Sequence, residues 1–342
     1  MSRYHEGLFD EVRAAASDRA RALLADALVC DMTLPWSPSY ADTALLSRFH
    51  RAGFDLISLT VNDFPGSIAG SVAHIAKVRR AIRAAGDQMV LIETADDIIQ
   101  AKRDRKLALT FNLQETNPLE RKVEMVEVYY RLGVRHMLLA YNQKNHVGDG
   151  CAERTDAGLS RLGLKVIAEM NRVGMMVDGT HCGYRTSMEA LEACEGPFIF
   201  SHCCAYAVQP HYRNLKDDQI KACAATGGIV GVNGVGIFLQ DLDGRPESMF
   251  RHIDHMVQLV GPEHVGLALD YLANPEPFFN MINVSPAQWP KIDGKPHPRA
   301  AFVQPDEVIA LVDLMLDCGY DEVSIRGILG ENFLRLARQV WK

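Results

Sequence analysis

Two histidines, 21 residues apart, each close a short apolar run. The first run is Gly174-Met175-Met176-Val177-Asp178-Gly179-Thr180-His181 and the second is Pro197-Phe198-Ile199-Phe200-Ser201-His202. A third run, His264-Val265-Gly266-Leu267-Ala268-Leu269-Asp270, ends on an aspartate. Imidazole nitrogens and carboxylate oxygens are the donors of catalytic zinc sites, which keep one position open for water or substrate. A short apolar run with helical sequence on either side reads as a buried parallel strand. A polar residue at the C-terminal end of such a strand faces the mouth of an α/β barrel, where the active site of that architecture lies. The expected chemistry is therefore metal-assisted hydrolysis, with His181 and His202 as metal ligands and Asp270 beside them.

The elements that must position these residues recur with a βαβα rhythm. Strands are predicted over 27–33, 55–61, 107–113, 134–140, 175–180, 198–201, 228–233 and 265–269, eight in all. A ninth apolar run, 89–92, is expected as a peripheral strand outside the barrel. With no break in composition, the rhythm predicts one α/β domain over residues 1–342, a (β/α)8 TIM barrel. Asn117-Pro118-Leu119-Glu120 and Thr186-Ser187-Met188-Glu189 both match the capping box that opens a helix. Two loops stand out. The stretch 142–156 is polar and glycine-bearing. The stretch 271–300, after the eighth strand, is rich in proline and aromatics and shows little periodicity. A loop of that length is usually functional or disordered, and since it leaves the catalytic end of a barrel it is expected to be a lid or a subunit contact, as of a homodimer.

Composition narrows the classes of function. The chain has 342 residues, 48% hydrophobic and 23% charged, with a net charge of -7. No lysine- or arginine-rich block offers a nucleic-acid footprint. The N-terminus has no apolar segment of secretory type, and no run is long enough to span a bilayer, so a cytoplasmic protein with no membrane partner is expected. Eight scattered cysteines include no CxxC pair and are expected as reduced thiols. Cys30, Cys182 and Cys203 each neighbour a candidate site residue and, by strand alternation, are expected to face the surrounding helices. The glycine-rich stretch 227–236 lacks GxGxxG spacing and is expected to serve close packing. GxSxG and HExxH do not occur.

The ordered set of Asn171 to His181, Phe200-Ser201-His202-Cys203-Cys204-Ala205-Tyr206 and Arg213-Asn214 resembles the membrane (renal) dipeptidases. These are binuclear zinc peptidases of the amidohydrolase superfamily with a (β/α)8 barrel. Leu34-Pro35-Trp36, Gly158-Leu159-Ser160, His264 to Asp270 and Ile328-Leu329-Gly330-Glu331-Asn332-Phe333 fit the same pattern, so the resemblance covers nearly the whole chain. It implies that His181 and His202 hold the second metal, that Asp270 binds the first metal and accepts the proton of water, and that Arg213 clamps the substrate's terminal carboxylate.

Three positions depart from the family pattern. Asp31-Met32-Thr33 stands where the family has His-x-Asp, Gln114 stands at the bridging glutamate, and Tyr141 stands at a substrate-facing histidine. A shared ligand must offer anionic oxygen to two cations, which a neutral amide does poorly. Asp31 is retained as a candidate ligand, with a competing role as partner to an arginine or histidine. Tyr141 is either an aromatic wall or an O–H donor to a developing oxyanion. The expectation is a hydrolase of dipeptides or dipeptide-like small acids with at most one zinc per subunit. Two alternatives stand beside it: a one-metal or metal-free amidohydrolase-type enzyme acting on another small carboxylate, and a non-catalytic barrel that binds its ligand through Arg213.

Overall fold

The computed structural model describes residues 5, 7–36, 42–62 and 66–342. Nine strands form one sheet: β1 (Cys30–Pro35), β2 (Leu56–Thr60), β3 (Met89–Leu91), β4 (Leu107–Leu113), β5 (Val134–Leu138), β6 (Met176–Asp178), β7 (Ile199–Cys203), β8 (Ile229–Asn233) and β9 (Val265–Ala268). All pairings are parallel, in the order β1-β2-β4-β5-β6-β7-β8-β9. The short β3 pairs with Leu107–Leu109 of β4 and leaves the C-terminal half of β4 to β5, so it is the peripheral ninth strand that the sequence predicts. The ring closes through Asp270 N–H, which donates to the Thr33 carbonyl at 3.2 Å, and Leu269 N–H, which donates to Asp31 Oδ2 at 3.3 Å. With helices between successive strands, this is a (β/α)8 barrel.

Strands covered on both faces read as continuous apolar runs rather than alternating ones, and nearly every strand residue is buried. Three pairings of the barrel carry a register irregularity, and two of them bear on the site. Between Asp31↔Ile57 and Leu34↔Leu59, β1 has one residue more than β2. Between Phe200↔Val230 and Cys203↔Val232, β7 has one more than β8. Such bulges bend a strand and re-aim its side chains, and here they fall on the segments that carry Asp31 and His202. Gly231 makes the second bulge fit, because a Cβ there would lie 2.1 Å from the Ser201 carbonyl oxygen.

Both predicted capping boxes are corrected. Asn117–Leu119 forms only a 3-10 turn, ended by Glu120 at φ +47°, and the helix follows at Met125–Arg131. Asn117 Nδ2 instead donates to Glu115 Oε2. Thr186 and Glu189 lie inside a helix that begins at Tyr184 after Gly183. Thr186 Oγ1 accepts the Asp149 N–H at 3.0 Å and Glu189 Oε2 accepts the Leu159 N–H at 2.7 Å. In both motifs the polar side chains bond groups outside the expected helix cap, Glu115 in the first and loop N–H groups in the second.

The 271–300 stretch is more regular than its sequence suggests, since it contains the helix Glu276–Val284. Among the described residues no helix is long and apolar enough to cross a membrane.

Candidate active site

The site is assembled from strand ends. His181 lies three residues beyond β6 at φ +65°, and Asp270 lies two beyond β9 at φ +50°. Asn142, after β5, has φ +53°. A left-handed backbone at a non-glycine residue costs about 1–3 kcal/mol and persists only where the surroundings enforce it. For His181 the enforcement is visible. Asp178 Oδ1 accepts the N–H groups of Thr180 (2.9 Å) and Ser201 (3.1 Å), tying the end of β6 to β7. Its Oδ2 meets His136 Nδ1 at 3.1 Å, inside the barrel. Burial opposes the charge on Asp178, but the His136 hydrogen bond and neighbouring imidazoles hold its carboxyl below the usual range.

The two histidines meet. His181 Nε2 and His202 Nε2 are 3.1 Å apart, and His202 Nδ1 is 2.8 Å from Ser201 Oγ. Burial, and next the Arg213 cation, push both imidazoles well below the usual range, so both are neutral. Tyr141 stacks on His181, with ring centroids 3.9 Å apart at 24°. Asp270 Oδ2 accepts from Asn233 Nδ2 at 3.0 Å. Burial pushes the Asp270 carboxyl up to about 7, against the opposing pull of Arg213 and Asn233. His181, Tyr141, Gln114 and Asp270 line one cavity of about 210 Å³, whose remaining wall is apolar.

Arg213 lies elsewhere than a solvent-facing clamp. It is 3% exposed, and all three of its nitrogens are engaged. Nε donates to His181 Nδ1 at 3.1 Å, Nη1 to Cys203 Sγ at 3.1 Å and Nη2 to the His202 carbonyl at 2.8 Å. It lines a second cavity of about 230 Å³, which shares His181 with the first, together with Lys216, Tyr206 and Tyr212. Two of its five N–H groups remain for a ligand there. Cys203 accordingly faces Arg213 and Thr180 rather than the helices, a correction that follows from the bulge in β7. All eight cysteines are free.

The remaining candidates are less exposed to ligand. Asp31 Oδ1 accepts the Thr33 N–H at 3.0 Å and Oδ2 accepts the Leu269 N–H at 3.3 Å, so both oxygens serve the bulge and the closure of the ring. Burial pushes its carboxyl up to about 8, against those two hydrogen bonds, and nearby Asp270 adds to the rise. Gln114 donates from Nε2 to Thr60 Oγ1 at 3.1 Å. Glu115 turns away to the Gly66 N–H at 2.6 Å.

These donors can be tested against a metal. Two nitrogens bonded to one tetrahedral zinc at about 2.0–2.1 Å lie roughly 3.3 Å apart, close to the 3.1 Å between the two Nε2 atoms. Among the described residues, however, no group of three or more His, Cys, Asp or Glu side chains is arranged to hold a metal. The two imidazoles supply two of the three protein ligands that a catalytic zinc uses.

Sequence reasoning missed Asn142, whose Oδ1 is 2.6 Å from His181 Nδ1, and Asn233. The aromatic-rich 271–300 stretch, expected as a lid or a subunit contact, supplies Phe278 and Trp289 to the cavity wall. Asn233 had a legible signal, as a polar residue ending an apolar strand.

Comparison with known proteins agrees with this fold. The model of the membrane dipeptidase family (peptidase family M19) matches residues 40–289. The chain is 34% identical over 221 residues to an uncharacterized dipeptidase of Schizosaccharomyces pombe, covering 61% of this chain and 52% of that protein. It is 27% identical over 289 residues to the dipeptidase tcpJ of Claviceps purpurea, covering 82% and 63%. The match thus spans about half to two thirds of those relatives' lengths. A solved amidohydrolase from Pseudomonas aeruginosa superposes with a TM-score of 0.85 at 30% identity, covering 94% of this chain and 99% of that one. A barrel with paired histidines and an aspartate at its mouth, matched by the family model over most of its length, belongs to the membrane dipeptidase family.

Proposed function

We propose that this protein hydrolyses the amide bond of dipeptide-like small acids, with at most one zinc per subunit. One observation carries the reading: His181, paired with His202, and Asp270 line the same cavity at the C-terminal ends of the strands. When bound at the two imidazoles, zinc would polarise a carbonyl oxygen and acidify water. The residues supply the rest. Asp270, poised near neutrality by burial, accepts a proton from water and returns it to the leaving amine. Tyr141 stacks on His181 and walls the reacting carbonyl. The two remaining N–H groups of Arg213 take the terminal carboxylate, in the second cavity.

The neutral Gln114 and the engaged oxygens of Asp31 argue against a second metal. Simple dipeptides should therefore turn over well below the ~10 s⁻¹ typical of enzymes. Elemental analysis of protein purified without chelator should find no more than one zinc, lost in His202→Ala. The triple variant Asp31→His, Thr33→Asp, Gln114→Glu should gain a second metal and faster turnover, with single variants doing much less because ligands act as a set. Two metals in the unmodified protein would overturn the reading, and so would a folded triple variant that stays inactive with one metal or none.

A further inference from the structure

The two cavities flanking His181 differ in chemistry. The Arg213 side carries two cations, Arg213 and Lys216, beside the acids Glu153 and Asp156. The Asp270 side carries none: no lysine or arginine is among its described lining residues, and its one ionisable acid is Asp270 itself. Its wall is built around Trp289, which is 2% exposed. Trp289 stacks with Phe238 (centroids 6.4 Å, 18°) and meets Phe278 edge to face (5.7 Å, 89°) and Tyr141 likewise (6.2 Å, 70°). Met281, on the same helix as Phe278, completes the wall. The indole N–H of Trp289 is buried without a hydrogen-bond partner among the described residues.

Size and charge together restrict what enters. An apolar cavity of about 150 Å³ is enough for a benzene ring, so about 210 Å³ takes one large side chain and little more. A carboxylate placed there would lose its water, face aromatic rings and meet the Asp270 carboxyl, with no cation to compensate.

We infer that Trp289 is the specificity-determining residue of the site, and that the acyl half of the substrate carries a large apolar side chain, leucine- or phenylalanine-like, with acidic acyl residues excluded. The inference rests on the proposed hydrolysis of dipeptide-like acids, and it assigns each half of such a substrate to one side of His181. Apolar bulk lies against Trp289, and the acid end lies towards Arg213.

Calorimetry with leucyl-alanine, phenylalanyl-alanine, glycyl-alanine and aspartyl-alanine tests it, with kcat and KM measured for the same series. The two apolar dipeptides should bind at least about tenfold more tightly than the glycyl and aspartyl ones, the scale of apolar side-chain discrimination in a pocket. Their binding should quench indole fluorescence in the unmodified protein but not in Trp289→Phe. Trp289→Ala should erase most of the tenfold preference, with the loss appearing in KM rather than kcat. Phe278→Ala, at a less buried position, should do the same in part and guards against a Trp289→Ala variant that fails to fold. Aspartyl-alanine binding as tightly as leucyl-alanine would overturn the inference, as would an undiminished preference in both variants or no binding by any of the four. The preference present without hydrolysis would refute the proposed reaction and leave the inference standing.

Discussion

At the scale of single residues, Arg213 shows how position changes an argument. As a loop arginine it reads from sequence as a partly exposed charge whose removal leaves the fold intact. The structure reverses that expectation. Its guanidinium is buried and joins His181, Cys203 and the His202 carbonyl, the pieces that must sit together for the site to exist. Removing a buried charged donor leaves its acceptors unpaired. Arg213→Ala should therefore lose on the order of 3 kcal/mol of stability in urea unfolding, besides weakening small carboxylates in calorimetry. A loss below about 0.5 kcal/mol, typical of a surface change, would show that these hydrogen bonds contribute little. Asp31 makes the converse point. It stands at a ligand position of the family pattern, yet its oxygens hold backbone N–H groups and close the ring.

At the scale of elements, the site depends on irregularities in the strands. The extra residue in β7 lets Ser201 and His202 depart from simple alternation, and β8 accommodates it only because residue 231 has no side chain. Gly231→Ala should push β7 and β8 apart, cost about 3 kcal/mol, the upper end of overpacking, and separate His202 from His181. Gly196, where an added Cβ meets nothing within 4 Å, is the control and should tolerate alanine. Thermal unfolding and zinc content of the two variants check this, and equal effects at both positions would count against the bulge as the device that aims His202. The 271–300 stretch acts as an element too. Tyr271 at its start shares a buried network with Arg48, Gln304 and Asp306, which anchors it against the helix Thr43–Arg51. That anchorage allows a proline-rich connection to present Phe278 and Trp289 to the cavity as fixed walls.

At the scale of the whole molecule, buried acids set the pH response. Burial raises Asp31 to about 8, Asp270 to about 7 and Glu115 to about 7. Each of these groups binds a proton in the folded protein over a range where the unfolded chain has released it. Their contribution to stability is full below the ordinary carboxyl range, near pH 4, and is lost as pH rises towards 7–8. The slope is up to about 1.4 kcal/mol per pH unit for each proton. The buried neutral imidazoles of His181 and His202 act in the opposite sense, losing stability as pH falls below about 6.5. In chelator, Asp31→Asn should therefore flatten the decline in unfolding free energy between pH 6 and pH 8 relative to the unmodified protein. An unchanged slope would mean that Asp31 is already ionised in the folded protein at pH 6.

Much of this protein follows from local sequence. Continuous apolar runs such as Leu107–Leu113 mark strands buried on both faces, and the residues that end them, His181, His202 and Asp270, mark the mouth, because strand direction and barrel closure leave their side chains little choice. The peripheral place of Met89–Leu91 follows from its being a ninth run beyond the eight that make a barrel. Only the tertiary structure decided the rest. Thr186 lies inside its helix and accepts the N–H of Asp149, a partner 37 residues away that local spacing does not reveal. The turn of Cys203 towards Arg213 depends on a bulge that one residue of register creates and a glycine on another strand permits. The aromatic wall draws Tyr141, Phe238 and Trp289 from segments separated by some 150 residues of chain. Strand periodicity is a property of neighbours in sequence, whereas register, burial and the satisfaction of buried polar groups are properties of neighbours in space.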